Sequence, residues 1–390
     1  MKRKLLVCLI LVLIIASFSQ SRAVISFAEE EKKEDILSQM AGAVSADELN
    51  ERLDELFVML GKSGGSFKEK LLSIAKGEFS LGYENVLSAF GSLLFSEISD
   101  LAAVFLLIAG LSLAFALIKS LKPQMLESET GGVIKFIFTL LTLGALSVKA
   151  VAVFSQAYNS IENLSKQMEA VFPPIITIMS VTGSNLSAGL YRPVFVFLTT
   201  FVTGILTKIV FPLIFFSMII VTVSDISETL KTDKIVKFVC SLNKWILGII
   251  ATVFTFFITL KGTGASYSDG ISLRIIKFAV GNSVPLVGGF LRESSETVLA
   301  SGVLIKNALG VCGVMLLAFT LLAPVIKLAV FSLFLKLTAG VSEILGNEKT
   351  GAFLSKISSL TNYVLAVELV MGYLYIISFV MLVYSGGAFV

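Results

Sequence analysis

Residues 363–384 read YVLAVELVMGYLYIISFVMLVY, a run of 22 residues with one charged group, Glu368. A transmembrane helix needs about 20 consecutive, mostly apolar residues, so this stretch places the chain in a bilayer. Working back along the chain, the same reading recurs at Ala308–Leu335, Trp245–Leu260, Pro193–Val223, Val133–Phe154 and Leu101–Ile118, the last extended upstream by Leu93–Phe95. Lys135 and Lys149 near the ends of one run can snorkel, and Trp245 opens another where an aromatic belt belongs. Pro193–Val223 carries Lys208 and Pro212 and fits either one long kinked helix or two short passes. Residues 171–190 open on Val171-Phe172-Pro173-Pro174 and dissolve into Gly183-Ser184-Asn185. They read as a re-entrant or interfacial hairpin, which membranes tolerate only where protein or water satisfies the backbone. Residues 262–305, glycine-rich and interrupted by Pro285, read the same way.

Composition agrees. Of 390 residues, 55% are hydrophobic and only 15% are charged, against about 25% charged in a soluble domain. An ordinary soluble enzyme and a disordered chain are both excluded. The net charge of +3 is too small for nucleic-acid binding, and no basic stripe appears. The chain has no histidine, which removes Ser-His-Asp triads, His-ligated zinc and His-ligated haem. Its three cysteines, Cys8, Cys240 and Cys312, form no CxxC, so neither a metal site nor a disulfide framework is expected. No Walker A motif, no HExxH and no aspartate pair within the spans is present. The expectation is a protein without cofactor that is not an enzyme.

The N-terminus reads as a secretory signal peptide. Lys2-Arg3-Lys4 precedes an apolar run from Leu5 to Ala16, and Ser26-Phe27-Ala28 precedes Glu29-Glu30-Glu31, which places cleavage after Ala28. The alternative is an uncleaved first transmembrane helix. Residues 29–100 hold 15 of the 28 acidic residues and 7 basic ones. Leu49, Leu53, Leu56, Phe57 and Leu60, then Phe67, Leu71, Leu72 and Ala75, fall at helical spacing on either side of Gly64-Gly65. Two short amphipathic helices are predicted, forming either a cap on the bundle or a docking surface for a partner.

The second half echoes itself. Pro174 pairs with Pro285, Pro212 with Pro324, Ser227-Glu228 with Ser342-Glu343, and Ser241-Leu242 with Ser359-Leu360, at offsets of 111, 112, 115 and 118. Ordered landmarks with drifting offsets predict a duplication, and two spans per unit make it parallel. The fold expected is all-α, a polytopic membrane helical bundle of about six spans, with a range of six to eight. Its parts are signal peptide 1–28, an extracytoplasmic acidic amphipathic helical region 29–100, a transmembrane hairpin 101–165, and membrane repeats 166–262 and 277–385. Loops with Lys119 and Lys122, with Lys231, Lys234, Lys237 and Lys244, and with Lys336, Lys349 and Lys356 read as cytoplasmic.

Ionisable groups inside a span are functional candidates by default. Glu368, Lys208 and Lys327 qualify, either as a Lys–Glu pair between spans or as members of a substrate or ion path. Glu368 stands out because its side chain is too short to snorkel far. Pro173, Pro174, Pro212, Pro285 and Pro324 are the candidate break and kink positions.

Several of these stretches, in this order, resemble one family. The signal peptide, the acidic amphipathic start, Pro173-Pro174 followed by Ser180-Val181-Thr182-Gly183, and the run Asn282-Ser283-Val284-Pro285-Leu286-Val287-Gly288-Gly289 resemble the stage III sporulation protein AE family of endospore-forming Firmicutes. The resemblance implies an integral protein of the mother cell, in the outer forespore membrane. It implies a complex with the stage III sporulation proteins AA (an ATPase), AB, AC, AD, AF, AG and AH, which meets stage II sporulation protein Q. In that secretion-like complex, needed for forespore development and late sigma-factor activity, the chain would be a channel or scaffold subunit. It implies no catalytic residue. Membrane lipid is the other expected contact, nucleic acid is not, and a homo-oligomer is compatible. The alternative is a stand-alone secondary transporter or permease with its path at the repeat interface.

Overall fold

The computed structural model describes residues 53–54, 57–58, 65–76, 83–124, 129–182, 184–226, 233–262 and 288–384. The signal peptide, Pro285 and most of 262–305 lie outside them. The main helices are α1 (Phe67–Ala75), α2 (Tyr83–Leu121), α3 (Glu129–Val181), α4 (Asn185–Ile226), α5 (Asp233–Gly262), α6 (Gly288–Ile344) and α7 (Glu348–Tyr384). The described residues contain no strand. Helices α2 to α7 each carry a stretch long and apolar enough to cross a membrane, six in all.

Interhelical bonds fix how these helices run. Lys119 Nζ, at the end of α2, donates to the Gly346 carbonyl at 2.9 Å, in the turn between α6 and α7. This near side therefore holds the ends of α2 and α6. The Tyr191 hydroxyl donates to the Met381 carbonyl at 2.8 Å, and Lys306 Nζ donates to the Val383 carbonyl at 3.0 Å. The starts of α4 and α6 and the end of α7 share the far side. The α6–α7 turn needs Gly346, whose φ of 76° lies in the left-handed region. Its N–H donates to the Glu343 carbonyl and that of Asn347 to the Ser342 carbonyl, both at 2.9 Å, which satisfies the last carbonyls of α6.

Helices α6 and α7 form the middle of the bundle. In their most apolar stretches 56% and 61% of residues are buried, against 22–28% in α2 to α5. Glycine allows the close approach: a Cβ at Gly310 would collide with Val383, and one at Gly372 with Leu321. The outer helices turn large apolar side chains outward, among them Leu106, Leu113 and Leu117 on α2 and Phe238, Trp245 and Phe256 on α5. That is the surface a bilayer covers.

Three details correct or complete the sequence reading. The chain does not break at Pro173 and Pro174, because α3 runs through both to Val181. Each proline removes one helical hydrogen bond, but Val171, Phe172, Ile175, Ile176 and Met179 around them are buried. Packing therefore outweighs the local preference, and Phe172 stacks on Phe195 of α4 at 4.3 Å to close a helical hairpin. Residues 193–223 are one helix rather than two passes. Pro212 sits just past the π-helical stretch Leu206–Val210, where the Phe211 N–H reaches back five residues to Leu206. The widened turn thus directly precedes the position where proline offers no donor. Finally, α2 already begins at Tyr83, inside the stretch read as extracytoplasmic.

At the far side, α1 packs on α6. Ser66 and Glu69 form a reciprocal capping box at its start. Leu71 is buried, together with Leu53 and Phe57. Lys70 is buried too, paired with Asp54 and lying over the Phe57 ring.

Candidate functional site

Helix α3 has 53 residues, about 80 Å at 1.5 Å per residue, far more than the roughly 30 Å of a hydrocarbon core. Its middle is polar on one face. Ala152, Ser155, Gln156, Asn159, Ser160 and Asn163 follow the i, i+3, i+4 pattern that aligns side chains on a helix. With Thr320, Ala323 and Pro324 of α6 they line a cleft of about 400 Å³. Pro324 matters to that wall, since proline has no N–H for the Thr320 carbonyl four residues earlier.

Glu368 lies directly behind the cleft. It is 0% exposed. The Ser160 hydroxyl, itself part of the cleft wall, donates to Glu368 Oε2 at 3.4 Å, a long and weak bond. Glu368 Oε1 has no hydrogen-bond partner. Burying an unpaired carboxylate costs on the order of several kcal/mol, so this group must take up either a proton or a cation.

Polar contacts continue from it in both directions. Toward the far side, Gln167 Nε2 donates to Thr320 Oγ1 at 2.6 Å, and the Thr203 and Tyr375 hydroxyls are 3.0 Å apart. Thr203 belongs to a distorted region of α4, where its N–H and its hydroxyl both reach back to the Leu198 carbonyl at the π-helical stretch Phe197–Val202. Toward the near side, Ser332 bonds Ser358 at 3.1 Å and donates to Asn362 Oδ1 at 3.0 Å. Closer to the turn, Ser112 meets Ser342 at 2.8 Å. Hydroxyls and amides thus join α3, α4, α6 and α7 above and below the carboxyl.

The two candidate lysines are elsewhere. Lys327 Nζ lies 3.4 Å from Glu97 Oε2 of α2, and the neighbouring Lys149 donates to Asp100 Oδ1 at 2.6 Å. Lys149 is one turn before Ala152 and Lys327 one turn after Pro324, so these ion pairs border one end of the cleft. Lys208 is exposed on the outside of α4. Neither lysine pairs with Glu368, so the Lys–Glu pair expected between spans is replaced by Lys327–Glu97. The kink prolines are also split: Pro324 lines the cleft, whereas Pro212, Pro173 and Pro174 do not.

Sequence reasoning passed over Ser160, Asn159, Asn163, Gln167 and Thr320. The available signal was the polar stripe itself, five positions (Ser155, Gln156, Asn159, Ser160 and Asn163) at helical spacing immediately after the span Val133–Phe154.

The family model described as Stage III sporulation protein AE matches residues 65–386. The chain is similar to the Stage III sporulation protein AE of Bacillus subtilis (strain 168), at 26% identity over 395 residues, covering 99% of this chain and 98% of that protein. No solved structure matches.

Proposed function

The chain belongs to the stage III sporulation protein AE family, and from that premise we propose that it is the polytopic channel or scaffold subunit of the stage III sporulation complex. In this reading it sits in the outer forespore membrane of the mother cell, among the other stage III proteins and opposite stage II sporulation protein Q. It supports forespore development and late sigma-factor activity there. The lysine-rich near side, with Lys119, Lys122, Lys234, Lys237, Lys349 and Lys356, faces the mother-cell cytoplasm by the positive-inside rule. The far side, with α1, faces the space between the membranes.

One observation carries the reading: an integral bundle whose central hairpin holds a buried carboxyl beside a polar cleft. A purely passive anchor has no use for such a group, which membranes tolerate at a cost. With no nucleotide motif of its own, the chain draws energy from a partner, and the ATPase of the complex suits that need. The same cleft gives the transporter reading its footing, because α3 and α6 offer a path without any partner.

Affinity isolation of the full chain from sporulating cells separates the two. The expected result is recovery with the ATPase and the other stage III proteins, and no solute uptake by the chain alone in liposomes. Recovery without partners, together with cation-driven uptake in liposomes that is lost in Glu368→Gln, contradicts the subunit reading and establishes the transporter.

A further inference from the structure

We propose that Glu368 and Ser160, with the polar face of α3, form a binding site for a monovalent metal cation of the sodium type, reached through the cleft between α3 and α6. The carboxyl is fully buried, and one of its oxygens has no hydrogen-bond partner. Its other oxygen takes a single long bond, from the Ser160 hydroxyl. The lysines that border the cleft are committed elsewhere: Lys327 to Glu97 and Lys149 to Asp100. The carboxyl is therefore neutralised by something that enters from outside, a proton or a cation.

The wall of the cleft indicates what that is. Ser160 belongs both to the wall and to the carboxyl's contacts, so Glu368 is one hydroxyl away from the open space. The neighbouring groups, Ser155, Asn159, Asn163 and Thr320, all carry side-chain oxygens. Pro324 further leaves the Thr320 carbonyl without its helical donor. Hard cations are held by such mixed sets of carboxylate, amide, hydroxyl, carbonyl and water oxygens. A bare proton would need only the carboxyl and gives the rest of the wall nothing to do. One carboxylate balances one positive charge. Among the described residues no cluster of three His, Cys, Asp or Glu side chains exists to hold a transition metal. The site belongs to the chain alone and stands whether the chain is a conduit, a scaffold or a transporter.

The test is carbodiimide modification of the full chain in membranes, read by peptide mass mapping. A hydrophobic carbodiimide reacts with a buried carboxyl that has no bound cation, and sodium replaces choline at constant ionic strength and constant pH. The expected result is that Glu368 is modified in choline and protected progressively by sodium, in proportion to occupancy. Potassium should protect less. Ser160→Ala should raise the sodium concentration for half protection by roughly 10-fold or more, as loss of a metal-orienting partner does. The wild-type map needs no variant, so misfolding of a mutant does not blunt it. Modification of Glu368 at an unchanged rate across the sodium series means a proton-only site and overturns the proposal. So does a Glu368 that is unmodified even without sodium, because the carboxyl is then not reached through the cleft.

Discussion

Helical hairpins α4–α5 and α6–α7 both run from the far side to the near side and back, and each carries a proline in its first helix, Pro212 and Pro324. Hydropathy barely separates their first helices, at 2.3 and 2.4 over their most apolar stretches. Their surroundings differ sharply, because the second hairpin is wrapped by protein and the first is turned outward. Hydropathy reports that a segment crosses a membrane, but lipid is as apolar as leucine and does not say which segment is central. What marks the central hairpin is small and hydroxyl-bearing residues at its helix contacts: Gly310, Gly372, Ser332 and Ser358.

Substitutions matched between the two hairpins sharpen that contrast. The largest effect is expected at aromatic positions. Phe379 on α7 is fully buried and Phe256 on α5 is 61% exposed. Phe379→Ala should cost about 3 kcal/mol, the lower end of the range for cavity formation because lipid contributes no hydrophobic drive. Phe256→Ala should fall within about 0.5 kcal/mol of wild type. Reversible unfolding in mixed micelles measures both, and equal costs would erase the inner–outer distinction. Glycine gives the next pair. Gly372→Leu drives a side chain into Leu321 and should cost about 1–3 kcal/mol through overpacking. A Cβ at Gly248 meets no atom within 4 Å and the position is exposed, so Gly248→Leu should be tolerated in the same assay. The smallest effect is polar. Ser332→Ala removes the bonds to Ser358 and Asn362 and should cost about 0.6 kcal/mol, the typical value for such bonds between membrane helices. Thr255→Ala on α5, whose hydroxyl bonds only its own helix at Ala251, should be silent.

The same physics decides what the sequence made legible. The six spans were readable because length and apolarity suffice to identify them. The amphipathic helix around Leu71 was readable from its period, and it forms with Leu71 inward. Pro173-Pro174 misled, since local preference argues for a break while the buried side chains around the pair hold α3 together. Glu368 was legible as a lone charge in an apolar run. Its neighbours were not, because Ser160 and Thr320 lie far apart in sequence and only the packing of α3, α6 and α7 assembles them. Lys327 looked like its partner by type, but Glu97, in a stretch read as extracytoplasmic, lies closer in space.

If Glu368 is reached through the cleft, the protein-wrapped hairpin borders water while the outer one borders lipid. Spin labels at Asn163, on the cleft wall, and at Phe256, on the outer face of α5, test it directly in a chain lacking its native cysteines and reconstituted in bilayers. Relaxation by a water-soluble nickel complex and by oxygen would be compared at the two positions. The expected result is nickel access at 163 and oxygen access at 256. Oxygen access with nickel exclusion at both positions would mean that the cleft is filled by lipid, and would contradict the account.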